Sequence, residues 1–308
     1  MAATILASER SPVRVQLNNL IRFKAAGETI RLTTPRIRAF SVGGHLSPFK
    51  GRGVEFDESR LYQPGDDLRT IDWRVTARTG KPHTKVFREE RNRPVIVWLD
   101  LRQSMMFATQ GAYKAVIAAE TAALIAWSTV ANGDQLGGLL FSEPEHHELR
   151  PRLGRRAALR LMQLIADNPC WNSQAAKAEA RAENSLLRLT RVARPGSMMF
   201  LLSDFRNMGS EAERHIQQLA SHGDLFLVHI FDPLEAELPP PGRYRIQMGA
   251  RSFSIETGDQ RARERYRQQF DERVAWIQAL GRLSGVTLME CTTTDDPYLM
   301  LAKRFARA

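Results

Sequence analysis

Residues 95–100 read Val95-Ile-Val-Trp-Leu-Asp100, five apolar residues followed by a carboxylate. A continuous apolar run rich in β-branched residues is typical of a strand that is buried on both faces of a parallel sheet. Residues 197–204 and 224–232 repeat this design and end at Asp204 and Asp232. The repetition predicts a central, mostly parallel sheet with acidic residues at the ends of three strands.

From Pro94 onwards the chain alternates such apolar runs with longer stretches of helical periodicity. This alternation predicts βαβ units, and therefore an α/β fold with helices on both faces of a Rossmann-type sheet. The predicted helices span residues 112–131, 154–167 and 260–283, with a short helix after Pro297. Further strands are predicted at residues 135–142, 145–150 and 285–291, and a hairpin at 244–255 lies in an inserted segment near 239–257.

Residues 1–92 differ from this pattern because they are highly charged and interrupted by many glycines and prolines. One short helical candidate occurs there, at residues 13–24. A single core rarely grows beyond about 250–300 residues, so a chain of 308 residues accommodates one large domain and a smaller part. We therefore predict an irregular, β-containing N-terminal segment over residues 1–92 and an α/β domain over residues 93–308.

The composition is that of a globular protein, with 43% hydrophobic and 25% charged residues. Lys and Arg exceed Asp and Glu by 44 to 34, and the resulting net charge of +10 favours anionic partners. Acidic residues are interspersed among the basic ones, which predicts a mixed-charge surface. A nucleic-acid-binding protein stays open as an alternative because arginines are concentrated near Arg155 and Arg261.

The two cysteines, Cys170 and Cys291, have no metal-ligand spacing, so the sequence supports neither a disulfide framework nor a zinc site. No run approaches the roughly 18 apolar residues of a membrane span, and the N-terminus lacks a continuous apolar segment of signal-peptide type. We expect a soluble cytoplasmic protein without a membrane span.

Asp100 and Asp204 are the candidates for a binding crevice. In open parallel sheets ligands bind outside the carboxyl ends of the strands, so the two carboxylates share a crevice if their strands are neighbours. The sequence Asp100-Leu-Arg-Gln-Ser104 leads from the first strand towards the first helix.

This arrangement resembles the metal site of von Willebrand factor A-like domains, where a DxSxS loop, a Thr on another loop and a distant Asp hold a divalent cation. The resemblance implies Asp100, Ser104 and Asp204 as ligands and Mg²⁺ as the ion. However, Arg102 replaces the first Ser, and residues 151–156 offer no clear Thr. A guanidinium cannot ligate a cation, and it has the charge to pair with Asp100 or Asp204 instead. We therefore expect a degenerate adhesion-type site that binds metal weakly or not at all and uses Asp100, Arg102, Ser104 and Asp204 to bind a partner.

The N-terminal segment contains an ordered series of short motifs: Gly51-Arg-Gly-Val-Glu-Phe56, Arg60-Leu-Tyr-Gln-Pro-Gly-Asp-Asp67, Arg69-Thr-Ile-Asp-Trp73 and Ala77-Arg78. The series resembles domain-of-unknown-function family number fifty-eight, and the resemblance runs from about Gly51 to Pro239. Members carry this series before a von Willebrand factor A-like domain and are often encoded beside MoxR-type AAA+ ATPases. The resemblance thus implies a MoxR-type ATPase as the protein partner.

The signature residues also have physical roles that do not depend on the family: Arg60, Gly65, Asp66, Asp67, Arg69, Asp72, Trp73 and Arg78. Pro64-Gly65 is a turn former, while Asp66 and Asp67 can accept backbone N–H bonds or cap the next short helix. We expect Trp73 to be buried. The alternating charges favour a latch that pins this segment to the larger domain, and a partner-contact surface is the alternative.

No phosphate-binding loop, zinc helix or nucleophile elbow occurs in the sequence. An aspartyl-phosphate enzyme requires a second acid two residues after Asp100, where Arg102 stands. His146 and His147 adjoin acidic residues, but neighbours on a strand point to opposite faces and do not chelate one ion. The sequence therefore predicts a non-enzymatic adaptor without a small-molecule substrate.

Overall fold

The computed structural model describes residues 11–33, 54–63, 66–89, 92–143, 145–172, 181–248 and 251–305. These residues form two compact units. The main unit comprises the described residues within 1–38 and 93–308, and the small unit comprises those within 39–92.

Two short helices near the N-terminus, α1 (Leu17–Arg22) and α2 (Lys24–Thr29), belong to the main unit. Their apolar side chains share a core cluster with the long helix Lys114–Ala131. A Cβ on Gly27 would lie 2.7 Å from the Cβ of Trp127, so glycine permits this close approach. The prediction of one N-terminal segment over residues 1–92 is therefore wrong for residues 11–33, which bury their apolar side chains against the α/β domain.

In the small unit, β1 (Val54–Leu61) pairs antiparallel with β2 (His83–Glu89), and α3 (Trp73–Thr79) lies between them in the chain. The backbone therefore contains the β-structure that was predicted for this region. Pro64, Gly65 and residues 51–53 of the predicted signature lie outside the described residues.

Two aspartates of the signature organise the turn between β1 and α3. Asp66 accepts hydrogen bonds from the backbone N–H of Gln63 at 2.9 Å and from the guanidinium of Arg60 at 2.7 Å. Asp67 accepts from the backbone N–H of Arg69 at 2.9 Å and so starts a short 3₁₀ helix. Each side chain accepts a backbone N–H bond, as the sequence predicts, and Asp67 is the N-cap of the helix. A latch between the segment and the larger domain stays a prediction.

Trp73 is 70% exposed, so the prediction that it is buried is wrong. It is the first residue of α3, and the buried position belongs to Asp72, the N-cap. Asp72 accepts from the backbone N–H groups of Arg74 at 3.1 Å and Val75 at 3.2 Å, and from the hydroxyl of Ser59 at 2.9 Å. The cap is thus directed inward while the indole projects outward.

The main unit is built on a six-stranded sheet. Its strands are β3 (Pro94–Asp100), β4 (Gln135–Phe141), β5 (His146–Leu153), β6 (Ser197–Ser203), β7 (Gly223–Phe231) and β10 (Val286–Thr292). Their spatial order is β10-β7-β6-β3-β4-β5. All neighbours pair in parallel except β5, which returns antiparallel along the edge. The predicted hairpin is present as β8 (Arg243–Met248) and β9 (Arg251–Glu256).

Helices cover both faces of this sheet, as predicted. They are α4 (Lys114–Ala131), α5 (Arg155–Ala166), α6 (Ala182–Val192), α7 (Ser210–His222), α8 (Pro233–Ala236), α9 (Gln260–Gly281) and α10 (Pro297–Phe305). Val95, Val97 and Leu99 of β3 face α4, α5 and α10 in one core cluster. Ile96 and Trp98 face α6, α7 and α9 in a second cluster. The alternation along β3 explains its unbroken apolar sequence, because both faces of the strand are buried.

Among the described residues, one helix, α4, is long and apolar enough to cross a membrane. Its most apolar window is 89% buried inside the protein, where it packs between the sheet and the N-terminal helices.

Candidate functional site

Asp100 and Asp204 lie at the same edge of the sheet. β3 and β6 are neighbouring parallel strands, so the chain segments that follow them leave the sheet side by side. Both aspartates are fully buried. The two strands are therefore neighbours, which was the condition for a shared site, and we call the end of the sheet around Asp100 and Asp204 the crevice.

The carboxylate of Asp100 is held by a guanidinium from its own loop. Arg102 donates from Nε to both Asp100 oxygens at 3.0 and 3.1 Å and from Nη2 to Oδ2 at 2.7 Å. The backbone N–H of Arg102 at 3.0 Å and the hydroxyl of Ser203 at 2.6 Å complete the shell. Both oxygens of Asp100 are thus engaged by donors within the chain.

Arg102 is only 2% exposed and lies between the two aspartates. Its Nη2 is 4.0 Å from Asp204 Oδ1 and donates to the backbone carbonyl of Arg206 at 3.2 Å. Burial alone lowers the pKa of a guanidinium, but the charges of Asp100 and Asp204 outweigh it and raise the pKa of Arg102. The predicted pairing of Arg102 with Asp100 is confirmed, and Arg102 remains a fixed cation in the crevice.

Lys114 supplies a second fixed cation, which the sequence did not reveal. It is the first residue of α4 and is fully buried. Its Nζ lies 2.8 Å from Asp204 Oδ2 and 2.7 Å from Glu235 Oε1. Burial opposes the ionisation of Asp204, but Lys114 and then Arg102 hold the pKa of this carboxyl well below its ordinary value.

The short helix α8 positions Glu235, the third carboxylate. Asp232 accepts from the backbone N–H of Leu234 at 2.9 Å, and the backbone N–H of Asp232 donates to Glu235 Oε2 at 3.3 Å. This reciprocal capping box directs the other oxygen of Glu235 to Lys114 and to Arg206, whose Nη2 lies 2.9 Å away.

Asp232 also anchors the loop that follows β3. It accepts from the backbone N–H of Thr109 at 2.7 Å and from its hydroxyl at 2.6 Å. The hydroxyl of Thr293, which follows β10, donates to the same carboxylate at 2.8 Å. Asp232 thereby ties together three chain segments at the edge of the sheet.

Ser104 lies in the short 3₁₀ helix Gln103–Met105, and its hydroxyl is buried without a hydrogen-bond partner among the described residues. Asp100 is occupied by Arg102, and Asp204 by Lys114. The carboxylates of Asp100 and Asp204 do not fit a divalent cation, because the positive charges of Arg102 and Lys114 already pair with them. Within the described ranges, no group of three or more His, Cys, Asp or Glu side chains is arranged to hold a metal ion.

His146 and His147 lie on the edge strand β5, where they pair with the last two residues of β4. Exposure alternates along β5, which places the two side chains on opposite faces of the strand as predicted. His147 Nε2 lies 2.9 Å from Glu145 Oε1.

Comparison with known families gives one match over most of the chain. The family described as "Protein of unknown function DUF58" matches residues 58–275. Uncharacterized protein Rv1480 of Mycobacterium tuberculosis (strain ATCC 25618 / H37Rv) is 31% identical over 242 residues, which are 76% of this chain and 74% of that protein. Uncharacterized protein Mb1516 of Mycobacterium bovis has the same identity and coverage.

Solved structures give weaker likenesses. An aerotolerance-related membrane protein from Bacteroides fragilis is 12% identical, with a TM-score of 0.42 over 70% of this chain and 96% of that one. BatB from Bacteroides thetaiotaomicron is 13% identical, with a TM-score of 0.36 over 70% and 100%. A von Willebrand factor type A protein from Catenulispora acidiphila is 12% identical, with a TM-score of 0.35 over 72% and 43%. The strand pairing itself defines the α/β fold with the mostly parallel sheet that the sequence predicted.

Proposed function

The chain belongs to the DUF58 family of proteins of unknown function, and from its site we propose that it is a non-enzymatic adaptor that binds a MoxR-type AAA+ ATPase. The observation that carries this proposal is the pairing of all three crevice carboxylates with cations of the same chain: Asp100 with Arg102, Asp204 with Lys114, and Glu235 with Lys114 and Arg206.

Such pairing supports a binding role over catalysis. A carboxylate that acts as a nucleophile or a general base must reach its substrate with a free oxygen. Asp100 and Asp204 are fully buried and bound by donors, and Glu235 is only 2% exposed. The same pairing supports a crevice that works without a metal cofactor, with Arg102 and Lys114 supplying the positive charge.

The docking surface that we propose is the rim of the crevice. Met106, Phe107, Met208 and Leu234 are half-buried there, in the segments that follow β3, β6 and β7. Partly exposed apolar side chains around a charged centre fit a protein partner. We place the complex in the cytoplasm, where an AAA+ ATPase finds its nucleotide.

Binding between the purified chain and the MoxR-type ATPase of the same organism tests this proposal by surface plasmon resonance. Met106→Glu places a charge on the rim and should weaken binding at least about tenfold, or about 1.4 kcal/mol. The matched control is Leu153→Glu, because Leu153 is 52% exposed and pairs with Gln135 at the opposite edge of the sheet. Binding should be unchanged in this control.

Two outcomes reject the proposal: the wild-type chain fails to bind the ATPase, or both variants bind equally well. Thermal unfolding of each variant verifies that a loss of binding does not reflect a loss of folded protein.

A nucleic-acid-binding function is the second candidate, and it is favoured by the exposed arginines of α9. Arg261, Arg265 and Arg267 project from this helix into solvent, on a chain with a net charge of +10. Affinity for duplex DNA or single-stranded RNA should then fall steeply with salt. Absence of binding near physiological salt eliminates this candidate.

A further inference from the structure

Arg273 is an arginine without a counter-ion beside the charged crevice. It lies on α9, half-buried, with its guanidinium 5.2 Å from the centre of the Phe270 ring. Its Nε is buried without a hydrogen-bond acceptor, and no carboxylate in the described part of the chain lies within 4.0 Å of it. A buried donor without an acceptor lowers the stability of a fold by about 1–3 kcal/mol, so an unsatisfied Nε at Arg273 calls for an explanation.

A second unsatisfied arginine donor faces the same region. Arg206 binds Glu235 through Nη2, whereas its Nε is buried without an acceptor and lies 3.8 Å from Asp204 Oδ2. Burial, and then the like charge of Arg206, lower the pKa of Arg273. The negative charges of Asp204 and Glu235 oppose this shift.

His229, near the Phe270 ring, adds further unsatisfied nitrogens. The imidazole is 1% exposed, and neither ring nitrogen has a hydrogen-bond partner among the described residues. It stacks on Phe231 at 5.0 Å and lies 6.3 Å from the Phe270 ring, to which Arg273 also packs. The unsatisfied nitrogens of Arg273 and His229 thus belong to side chains that lie near the same ring, Phe270, at the end of β7.

The nearby acids do not satisfy these donors. Asp204 is bound by Lys114, and Glu235 is shared by Lys114 and Arg206. The Nε atoms of Arg206 and Arg273 therefore remain donors without an acceptor among the described residues.

We propose that Arg273 and Arg206, with His229 behind them, form a receptor for an acidic side chain that the protein partner inserts beside the crevice. A guanidinium binds a carboxylate through two parallel N–H bonds, which suits the unsatisfied donors found here. The assignment rests on the proposed adaptor function, because it names the group that the partner contributes.

Acetate is the probe for this receptor. Thermal unfolding is followed while acetate replaces chloride at constant ionic strength, so that screening is unchanged. The wild-type melting temperature should rise saturably, by about 3 °C when acetate reaches ten times its dissociation constant. Arg273→Gln should abolish the rise. Arg265→Gln, an exposed arginine on the same helix, is the matched control and should retain it.

The melting temperature without acetate separates a receptor from a structural role. Arg273 has no hydrogen bond or ion pair to lose among the described residues, and its contact with the Phe270 ring contributes about 0.5–1 kcal/mol, so Arg273→Gln should melt within about 3 °C of Arg265→Gln. A clearly lower melting temperature of Arg273→Gln than of the control overturns the proposal, and so does an acetate response that is absent from the wild type or equal in both variants.

Binding to the ATPase identifies the source of the carboxylate. Arg273→Gln should weaken that binding about tenfold or more, Arg265→Gln should not, and acetate should compete with the ATPase for the wild-type chain. If Arg273→Gln loses the acetate response but keeps full ATPase affinity, a free anion occupies the site and the partner assignment is wrong. The acetate titration uses the chain alone, without the ATPase. A missing acetate response would therefore reject the receptor, whereas a wild-type chain that does not bind the ATPase would reject the adaptor function.

Discussion

The guanidinium of Arg102 and the carboxylate of Asp100 form a buried, two-pronged ion pair within one loop, with N–O distances of 2.7, 3.0 and 3.1 Å. The pair neutralises the acid at the end of the central strand with a charge from two residues further along the chain. The crevice therefore carries its own cation, and its acidic residues are part of the folded framework.

Breaking this ion pair should destabilise the folded protein. Arg102→Met leaves Asp100 as an uncompensated buried charge, and we expect it to lower the free energy of unfolding by about 3–5 kcal/mol. Urea denaturation measures the loss. Arg150→Met, at an exposed arginine on β5, is the control and should be nearly neutral. The double variant Asp100→Asn/Arg102→Met should recover much of the stability, and a double variant no more stable than Arg102→Met would contradict this account.

Divalent cations should not bind in the crevice. Arg102 occupies Asp100, Lys114 occupies Asp204, and both fixed charges repel a cation. Calorimetric titration of the wild-type chain with Mg²⁺ or Mn²⁺ should give only heats of dilution, indistinguishable from those of Asp204→Asn. Saturable binding by the wild type that Asp204→Asn abolishes would show that the site remains a metal site.

His229 should make stability depend on pH. Burial, aided by the charge of Arg273, lowers the pKa of His229 to about 3. An unfolded histidine has a pKa of about 6.5, so between these values the unfolded state binds a proton that the folded state excludes. Stability therefore falls as the pH is lowered through this window. His229→Phe should remove about 3 kcal/mol of the loss between pH 7 and pH 4.

Urea denaturation at several pH values between 4 and 7 measures this effect. His146→Phe, at an exposed histidine, should keep the wild-type pH dependence. Equal slopes for the wild type and His229→Phe would mean that His229 does not titrate as described.

Gly27 tests the packing of the N-terminal helices against α4. A methyl group there would lie 2.7 Å from the Cβ of Trp127 and 2.9 Å from the carbonyl oxygen of Leu124. We expect Gly27→Ala to destabilise the protein by about 1–3 kcal/mol through overpacking. Gly258→Ala, where an added Cβ meets nothing within 4 Å, is the control for thermal unfolding. Equal melting temperatures would show that the helices yield at this contact.

The sequence predicted the sheet, because strands buried on both faces have a continuous apolar pattern. It also predicted some of the crevice residues. Asp100 and Asp204 were recognised since each ends such a run, and the pairing of Arg102 followed from its charge. Adjacency of the two strands required the structure, because strand order depends on contacts between distant parts of the chain.

Lys114 and Glu235 were missed because each resembles an ordinary surface charge at a helix end. One local signal existed for Glu235, since Asp232-Pro-Leu-Glu235 has the spacing of a capping box. His229 also carried a signal, as a lone polar residue inside the apolar run 225–231. Lys114 had none, because only tertiary packing decides whether a lysine at the start of a helix is buried.

The error about residues 11–33 had a different origin. Their short helices carry few apolar residues each, and the charged stretch that follows them dominated the composition of residues 1–92. Trp73 was misjudged because large aromatic residues are usually buried, whereas here the cap at Asp72 takes the interior position.

The docking of α1 and α2 on α4 determines how this protein can be divided for study. The hydroxyl of Ser128 donates to the carbonyl of Ile30 at 2.6 Å, and the indole of Trp127 donates to that of Leu20 at 3.4 Å. A fragment beginning at residue 93 would uncover this face of the most apolar helix and expose an aggregation-prone patch. A fragment that joins residues 11–33 to 93–305 through a short linker retains the cover and is the better candidate for expression in isolation.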